Sequence, residues 1–202
     1  IFLKRTAQPL MVVPFPYRDL SMRRKPEQDA RLWERVVDRL VCEVAALSAA
    51  ERGWIEEHLA TIGALQKRLH ALFLAADGEG ACRDCRGACC GRGKYHPTLA
   101  NLLVYLIEGG SPPVPDFRNS CPFLGAEGCL LIPGRRPFNC VTFICDTIEE
   151  CLSPAERDLF YALERDLRAH YEALARRYVG AGLRGVLNRA EDLEELSFLD
   201  RI

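Results

Sequence analysis

The N-terminal part of the chain has a helical pattern of apolar residues. Between Asp29 and Leu47 these residues recur every three or four positions, and charged residues fill the opposite face. This spacing predicts an amphipathic helix. Ser48 and Glu51 have the arrangement of a capping box, which predicts a second helix that ends at a turn at residues 77–78. Because so few residues join the two helices, we expect them to pack as an antiparallel hairpin.

The middle of the chain, residues 81–146, has a different character. Glycine, proline and cysteine replace the long periodic segments, except for a short helix predicted from about Thr98 to a stop at Gly109. The run "SPPVPDF" that follows predicts an irregular or polyproline-like loop. We therefore expect this part of the chain to form an irregular insert.

Helical periodicity returns in the last quarter of the chain. Ser153 and Glu156 form a second capping-box pattern, with a proline at the first helical position between them, and predict a long helix that runs to Gly180. Asn188, with Glu191 as its capping partner, predicts the start of a last short helix.

These patterns together predict a mainly α fold, in which a helical frame surrounds an irregular cysteine-rich metal-binding insert. A chain of 202 residues has the length of one ordinary domain. Within that single domain, 1–202, we distinguish three parts: a helical hairpin with an N-terminal arm at 1–80, a cysteine-rich module at 81–146 and C-terminal helices at 152–202.

The first residues, "IFLKRTAQPLMVVPFPY", resemble a signal peptide only faintly. Three prolines interrupt the apolar stretch and no small-residue cleavage site follows it, so we expect an extended arm packed on the surface. The longest apolar run, residues 102–107, is far shorter than the ~20 residues of a membrane span. We therefore expect a soluble, cytoplasmic protein.

Charge disfavours polyanionic partners. The chain carries 27 basic and 28 acidic side chains, for a net charge of -1. Without an excess of positive charge, no field concentrates nucleic acid or an anionic membrane at the surface. Neither is expected to be a partner, and any partner would be a protein that the sequence does not identify.

Ten cysteines are the most unusual feature of the composition, and eight of them fall between Cys82 and Cys145. Such a set can form disulfides in an oxidising compartment or metal thiolates in a reducing one. The clustering, and the strain of a disulfide between the adjacent Cys89 and Cys90, favour metal binding over disulfides. The eight candidate ligands are Cys82, Cys85, Cys89, Cys90, Cys121, Cys129, Cys140 and Cys145.

Spacing within the cluster indicates how the ligands are used. Cys82 and Cys85 have the two-residue separation with which zinc knuckles and iron–sulfur proteins bring two sulfurs to one centre. Adjacent side chains project in different directions, so Cys89 and Cys90 would face two centres, or one would bind while the other packs as a small apolar residue. Eight thiols suffice for two four-cysteine sites or for one site with spare ligands.

Four thiolates suit both zinc and iron–sulfur clusters. Large apolar residues flank the later cysteines, for instance at 122–124, 130–132 and 141–144, and we expect them to shield a centre from water. Such shielding favours an iron–sulfur cluster, preferably of the 4Fe-4S type, over a structural zinc ion. An electron-transfer role would follow from the first, and a protein-interaction module from the second.

The segments "CRDCRGACC", "CPFLGAEGC" and "RPFNC" resemble the signatures of the YkgJ-type cysteine-cluster family, whose members are described as zinc- or iron-chelating domains with a C-x2-C-x2-CC motif. The resemblance covers about Cys82 to Cys145 and implies metal chelation by the family's eight cysteines. Some relatives are linked to flagellin lysine N-methylation, which implies a protein-modifying enzyme as a further alternative. In this chain three residues, rather than two, separate Cys85 from Cys89.

Several other residues could take part in the site. His96 is a candidate substitute ligand and Cys151 a reserve ligand, whereas Cys42 is expected to be a packed thiol. The basic pair at 135–136 could neutralise thiolates or remain solvated.

Two further patterns are given no function. The run "GAGLRG" matches the dinucleotide-binding fingerprint, but it follows a helix instead of a strand and is expected to be a turn. His58, His70 and His170 lie in predicted helices without a partner at ligand spacing.

Overall fold

The computed structural model describes residues 24–126, 128–193 and 196–202. The predicted N-terminal arm lies outside these residues. The fold is mainly helical, as the sequence predicts.

Two long helices begin the described chain. Helix α1 (Pro26–Ala45) starts with a proline, and the Gln28 side chain accepts a hydrogen bond of 2.7 Å from the Lys25 N–H. Helix α2 (Ala49–Ala75) starts at Ser48, whose hydroxyl accepts a hydrogen bond of 3.2 Å from the Glu51 N–H, which confirms the predicted helix start.

Shorter elements follow. They are α3 (Gly78–Asp84), a first 3-10 helix (Cys90–Tyr95), α4 (Leu99–Ile107), the strands β1 (Leu124–Gly125) and β2 (Gly128–Cys129), a second 3-10 helix (Pro133–Arg135), α5 (Phe138–Thr142) and α6 (Asp146–Glu149). The strands pair as an antiparallel hairpin in which Leu124 lies opposite Cys129. The chain ends with α7 (Pro154–Ala175) and α8 (Val186–Leu193).

Local capping signals placed two of these helices correctly. Thr98 caps α4, and its N–H donates to Oδ1 of Asn101 at 2.8 Å, while Gly109 follows the helix with a φ of +75°. Ser153 caps α7 in a full capping box with Glu156, as predicted. Both helix starts are confirmed. They could be predicted from sequence because the capping hydrogen bonds join residues only three positions apart.

Two predicted boundaries are wrong for a tertiary reason. Helix α7 ends at Ala175, before Gly180, because the segment after it pairs with the C-terminal residues: the Gly180 N–H donates to the Phe198 carbonyl at 2.9 Å. Helix α8 starts at Val186 instead of Asn188, and the Val186 N–H donates to the Pro97 carbonyl at 2.7 Å.

The two long helices make their extended contacts with other elements. Helix α2 packs mainly against α7 and the second 3-10 helix, whereas α1 packs against α4 and α8. Helix α4 touches both of them because its leucines are buried on several sides, at positions 99, 102, 103 and 106. The antiparallel arrangement of α1 and α2 stays a prediction. None of the helices in the described ranges has the length and apolar character needed to cross a bilayer.

A buried carboxylate joins the frame to the segment that follows the first four clustered cysteines. Asp29 of α1 has 0% exposure and accepts bonds from Arg24 Nε at 2.7 Å, Lys94 Nζ at 3.0 Å and the Tyr95 hydroxyl at 2.7 Å. Burial, followed by the hydrogen bond to Asp29, raises the pKa of Tyr95 to about 12, so the phenol stays a neutral donor. Lys94 and Tyr95 close the first 3-10 helix, which Asp29 thereby holds against α1.

The glycine-rich "GAGLRG" segment is the expected turn, and close packing explains its glycines. A Cβ on Gly180 would lie 2.7 Å from the Phe198 Cα, and one on Gly185 would lie 1.7 Å from the Tyr95 carbonyl oxygen. Gly182 has a φ of +131°. Gly185 thus lets the segment before α8 approach Tyr95 of the first 3-10 helix, and Gly180 lets it approach Phe198. Packing and backbone conformation therefore explain these glycines.

We expect the Asp29→Asn substitution to lower the free energy of unfolding by about 2–3 kcal/mol, because it leaves two cations beside an uncharged group in a buried site. Urea unfolding would measure the change. Asp38→Asn, at an exposed position of the same helix, is the control and should change stability by less than about 0.5 kcal/mol. Equal effects of the two substitutions would contradict the role of Asp29.

The Gly185→Ala substitution should destabilise the protein by about 1–3 kcal/mol, because the added methyl group pushes the segment away from Tyr95. Gly53→Ala is the matched control: its Cβ would meet nothing within 4 Å on helix α2, and it should stabilise the protein by about 0.5–1 kcal/mol. Thermal unfolding of both variants tests the opposite signs, and a stable Gly185→Ala protein would contradict the close approach.

Candidate metal centre

The eight candidate cysteines lie on four separate segments of the module. Cys82 belongs to α3, Cys85 and Cys89 lie in the turn after it, and Cys90 begins the first 3-10 helix. Cys121 precedes the β-hairpin, Cys129 ends β2, Cys140 lies on α5, and Cys145 precedes α6. All ten cysteines fall in the described ranges, and none of them forms a disulfide there.

The turn after α3 reverses the chain within a few residues. Arg86 and Gly87 have φ values of 53° and 62°, so two consecutive residues adopt left-handed conformations. The Gly87 N–H donates to the Cys82 carbonyl at 2.9 Å, and the Cys90 N–H donates to the Gly87 carbonyl at 2.8 Å. The three residues between Cys85 and Cys89 thus form a tight reversal that returns the later cysteines toward α3.

One group of thiols surrounds Cys82. Burial raises the pKa of Cys82, and the neighbouring thiols of Cys89, Cys85 and Cys145 raise it further. Cys145 reaches this group because α6, which starts directly after it, packs against α3. We call these residues the first set: Cys82, Cys85, Cys89 and Cys145.

A second group surrounds Cys140. Burial raises the pKa of Cys140, and the thiols of Cys121, Cys129 and Cys90 add to the increase. Burial likewise raises the pKa of Cys90 to about 12, with contributions from Cys89, Cys121 and Cys82. We call the residues around Cys140 the second set: Cys90, Cys121, Cys129 and Cys140.

The adjacent Cys89 and Cys90 stand where the two sets meet. Cys89 neighbours Cys82, while Cys90 neighbours Cys121 and Cys140 and also Cys82 and Cys89, with whose side chain it shares a hydrogen bond. Cys90 therefore borders both sets, and both interpretations that the sequence left open stay predictions.

The β-hairpin positions two members of the second set. Pairing of Leu124 with Cys129, together with a hydrogen bond of 2.8 Å from the Leu130 N–H to the Phe123 carbonyl, brings the two ends of the hairpin together. Burial raises the pKa of Cys121, but the backbone N–H groups of Phe123 and Leu124 donate toward its sulfur and lower that pKa. Such N–H groups stabilise a thiolate, whichever metal it binds.

His96 and Gly93 also belong to the surroundings of the second set. The Nδ1 atom of His96 lies 3.4 Å from the sulfur of Cys140. Burial lowers the pKa of His96, which favours a neutral imidazole. A Cβ on Gly93 would lie 3.2 Å from the Cys121 sulfur, so this glycine allows the first 3-10 helix to approach that thiol. The sequence flagged His96 but gave no role to Gly93.

The two arginines at 135–136 have different roles. Arg136 lowers the pKa of both Cys82 and Cys140, although burial and neighbouring thiols outweigh it. Its Nε donates to the Leu131 carbonyl at 3.0 Å, which fixes the side chain beside the two sets. Arg135 instead forms an ion pair with Glu108 and lies 4.5 Å from the centre of the Tyr105 ring. Only Arg136 is placed to neutralise thiolates of both sets.

The apolar cover predicted around the later cysteines is incomplete. Phe123 and Leu131 are buried, but Leu130, Ile132 and Phe143 are 58%, 56% and 60% exposed. The expectation that all these residues shield the site is therefore wrong, because the three exposed side chains do not reach the core that Phe123 and Leu131 share with α1 and α4. The residues Cys85, Cys89 and Cys129 are exposed as well.

The remaining two cysteines lie apart from both sets along the chain. Cys42 is exposed on the surface of α1, so the expectation of a packed thiol is wrong. The exposed Cys151 donates from its sulfur to the Thr147 carbonyl at 3.2 Å, within its own turn.

The sets are not preformed coordination spheres. In the parts of the chain that the structure describes, no group of three or more His, Cys, Asp or Glu side chains is arranged so that it could hold a metal ion as it stands. Each set nonetheless supplies four soft sulfur donors, which is the donor chemistry that zinc and iron–sulfur clusters require. Side chains would therefore have to turn toward a common point on binding.

A search against protein-family models, curated proteins and solved structures found no match to the chain. The resemblance to the YkgJ-type family therefore depends on the cysteine pattern alone.

The Gly93→Ala substitution should weaken binding of cobalt(II), a spectroscopic probe for thiolate sites, by about tenfold, because the new methyl group displaces the Cys121 sulfur. Titration followed by thiolate-to-cobalt absorption would measure the change. Gly91→Ala in the same 3-10 helix is the control, since its nearest contact would be 3.9 Å away, at Ser120, and its affinity should be unchanged. An unchanged cobalt(II) affinity of the Gly93→Ala variant would show that this glycine does not contribute to the metal site.

Proposed function

We propose that the chain is a metal-chelating protein whose eight clustered cysteines hold two four-sulfur metal centres, with an iron–sulfur cluster of the 4Fe-4S type as the first candidate. The observation that supports this most is the grouping of thiols from four separate segments into two sets of four. Electron transfer is the role that such a cluster would support.

Electrostatics supports a cation at both sets. The pKa values of Cys82, Cys90, Cys121 and Cys140 are all raised, chiefly by burial and also by neighbouring thiols. Several thiolates this close together would repel one another, and a bound cation would remove that repulsion. Because each ligand must lose its proton, binding would release protons, and affinity would fall as the pH falls.

The surrounding residues would stabilise the ligands without binding metal themselves. Arg136 supplies a positive charge beside both sets, and the N–H groups of Phe123 and Leu124 donate toward Cys121. His96 lies beside Cys140, where its Nδ1 can donate to the thiolate. Such hydrogen bonds orient ligands and adjust the potential of a cluster.

Zinc is the second candidate, and solvent exposure favours it. Leu130 and Phe143 are exposed and belong to no buried cover, and the residues Cys85, Cys89 and Cys129 are exposed too. A structural zinc ion tolerates water, whereas an exposed cluster is prone to loss. In this case the metal would hold the irregular module together and contribute folding free energy.

Purification without oxygen, followed by metal and sulfide analysis and absorption spectroscopy, distinguishes the two. We expect brown protein with broad visible absorption, iron and acid-labile sulfide. Colourless protein with stoichiometric zinc would show that zinc, and not an iron–sulfur cluster, is the bound metal. Protein that binds neither metal would refute the proposed chelation.

Serine substitutions test the division into two sets. Cys85→Ser in the first set and Cys129→Ser in the second should each remove about half of the bound metal and lower the melting temperature, because each opens one centre. Cys42→Ser, at an exposed position on α1, is the matched control and should keep all of it. Complete loss in either set variant would indicate one shared centre in place of two.

A further inference from the structure

The structure pairs two histidines that the sequence left without partners. His58 of α2 and His170 of α7 are 112 residues apart, yet their Nδ1 atoms lie 2.9 Å from each other. The rings meet edge to face, with centroids 5.0 Å apart. Both side chains are partly exposed, in the contact between α2 and its main partner helix.

Neighbouring groups hold the orientation of the pair. The Trp54 ring lies 4.1 Å from the His58 ring, centroid to centroid, and the Arg177 guanidinium lies 4.2 Å from the Trp54 ring. Arg177 in turn pairs with Glu51. The imidazole of His58 is therefore fixed by packing on its own helix, in addition to its contact with His170.

Two nitrogens at this separation can share one proton, or both can offer lone pairs to a cation. Imidazole nitrogens bind zinc at about 2.0–2.1 Å, so two of them lie roughly 2.9 Å apart at a right angle and roughly 3.4 Å apart at the tetrahedral angle. The observed 2.9 Å matches the right-angle arrangement, which copper(II) and nickel(II) prefer.

We propose that His58 and His170 form a bidentate imidazole site for a divalent transition metal ion, with its other positions filled by water. The site uses none of the clustered cysteines, so this proposal does not depend on the proposed thiolate centres. Its expected affinity is modest, because the described residues hold no third His, Cys, Asp or Glu that completes the group.

The charges around the pair permit a cation. Burial lowers the pKa of His58, as do the charges of His170 and Arg177, which favours the neutral ring that metal binding requires. The charge of Arg177 would oppose a metal ion, but Glu51 balances it, and Glu57 adds a negative charge that acts on His58 in the opposite sense.

Nickel(II) titration of the full-length protein, purified without oxygen, tests the site. In proton NMR spectra, nickel added after the thiolate-to-nickel absorption has reached its plateau should broaden the ring signals of His58 and His170 first. His70, on the same helix as His58 and similarly half-buried, is the internal control and should broaden last. Broadening of His70 at the same nickel concentration, or no broadening of the pair, would overturn the proposal.

Substitutions give a second measurement. His58→Gln and His170→Gln should each reduce the nickel affinity of this site at least tenfold, and the double variant should lose little more, whereas His70→Gln should keep the wild-type affinity. Thiolate-to-nickel absorption reports separately on any nickel bound by cysteine, and it should be equal in the wild-type protein and all four variants. If the His58 and His170 variants kept the wild-type nickel affinity, the two histidines would only share a proton and the proposal would be wrong. If a variant does not fold, the NMR experiment on the wild-type protein still decides.

Discussion

The buried carboxylate of Asp29 is the interaction on which the placement of the cysteine module depends. It receives Arg24, Lys94 and the Tyr95 hydroxyl, and so ties the first 3-10 helix to α1. A carboxylate with 0% exposure is unfavourable unless it is paired and hydrogen-bonded, and here all its partners are supplied by tertiary contacts. The first 3-10 helix is also held from the C-terminal part of the chain, because Gly185 packs closely against the Tyr95 carbonyl oxygen.

From this anchor the thiols are positioned by short, irregular elements. The left-handed pair Arg86-Gly87 reverses the chain before Cys89, and the small hairpin brings Cys121 near Cys129. The module contributes to the core chiefly through α4, whereas its cysteine-bearing segments contribute single side chains such as Phe123, Leu131 and Phe138. Its conformation therefore depends on turns, on its attachments to the frame and, in our proposal, on metal.

The helical frame also contains chemistry of its own. Contact between α2 and α7 buries a row of leucines and tyrosines, and the same contact carries the His58–His170 pair. The packing that stabilises the two helices thus also holds the two imidazole rings next to each other. The frame and the module would then bind metals through different donors, nitrogen in one and sulfur in the other.

The sequence alone determined those features of the fold that depend on residues close together in the chain. The helices that start at Ser48, Thr98 and Ser153 were predictable, because their capping hydrogen bonds join residues three apart and their apolar periodicity is local. The cysteine spacing likewise identified the candidate ligands. It could not assign them to sets, because Cys145 reaches the first set only through the packing of α6 on α3.

Only the tertiary structure decided the rest. Helix α1 packs against α4 and α8 while α2 packs mainly against α7, and α8 starts early because the Val186 N–H donates to the Pro97 carbonyl. The histidine pair joins residues 112 apart. Long-range contacts of this kind depend on how whole helices pack, and local periodicity and capping carry no information about which faces will meet.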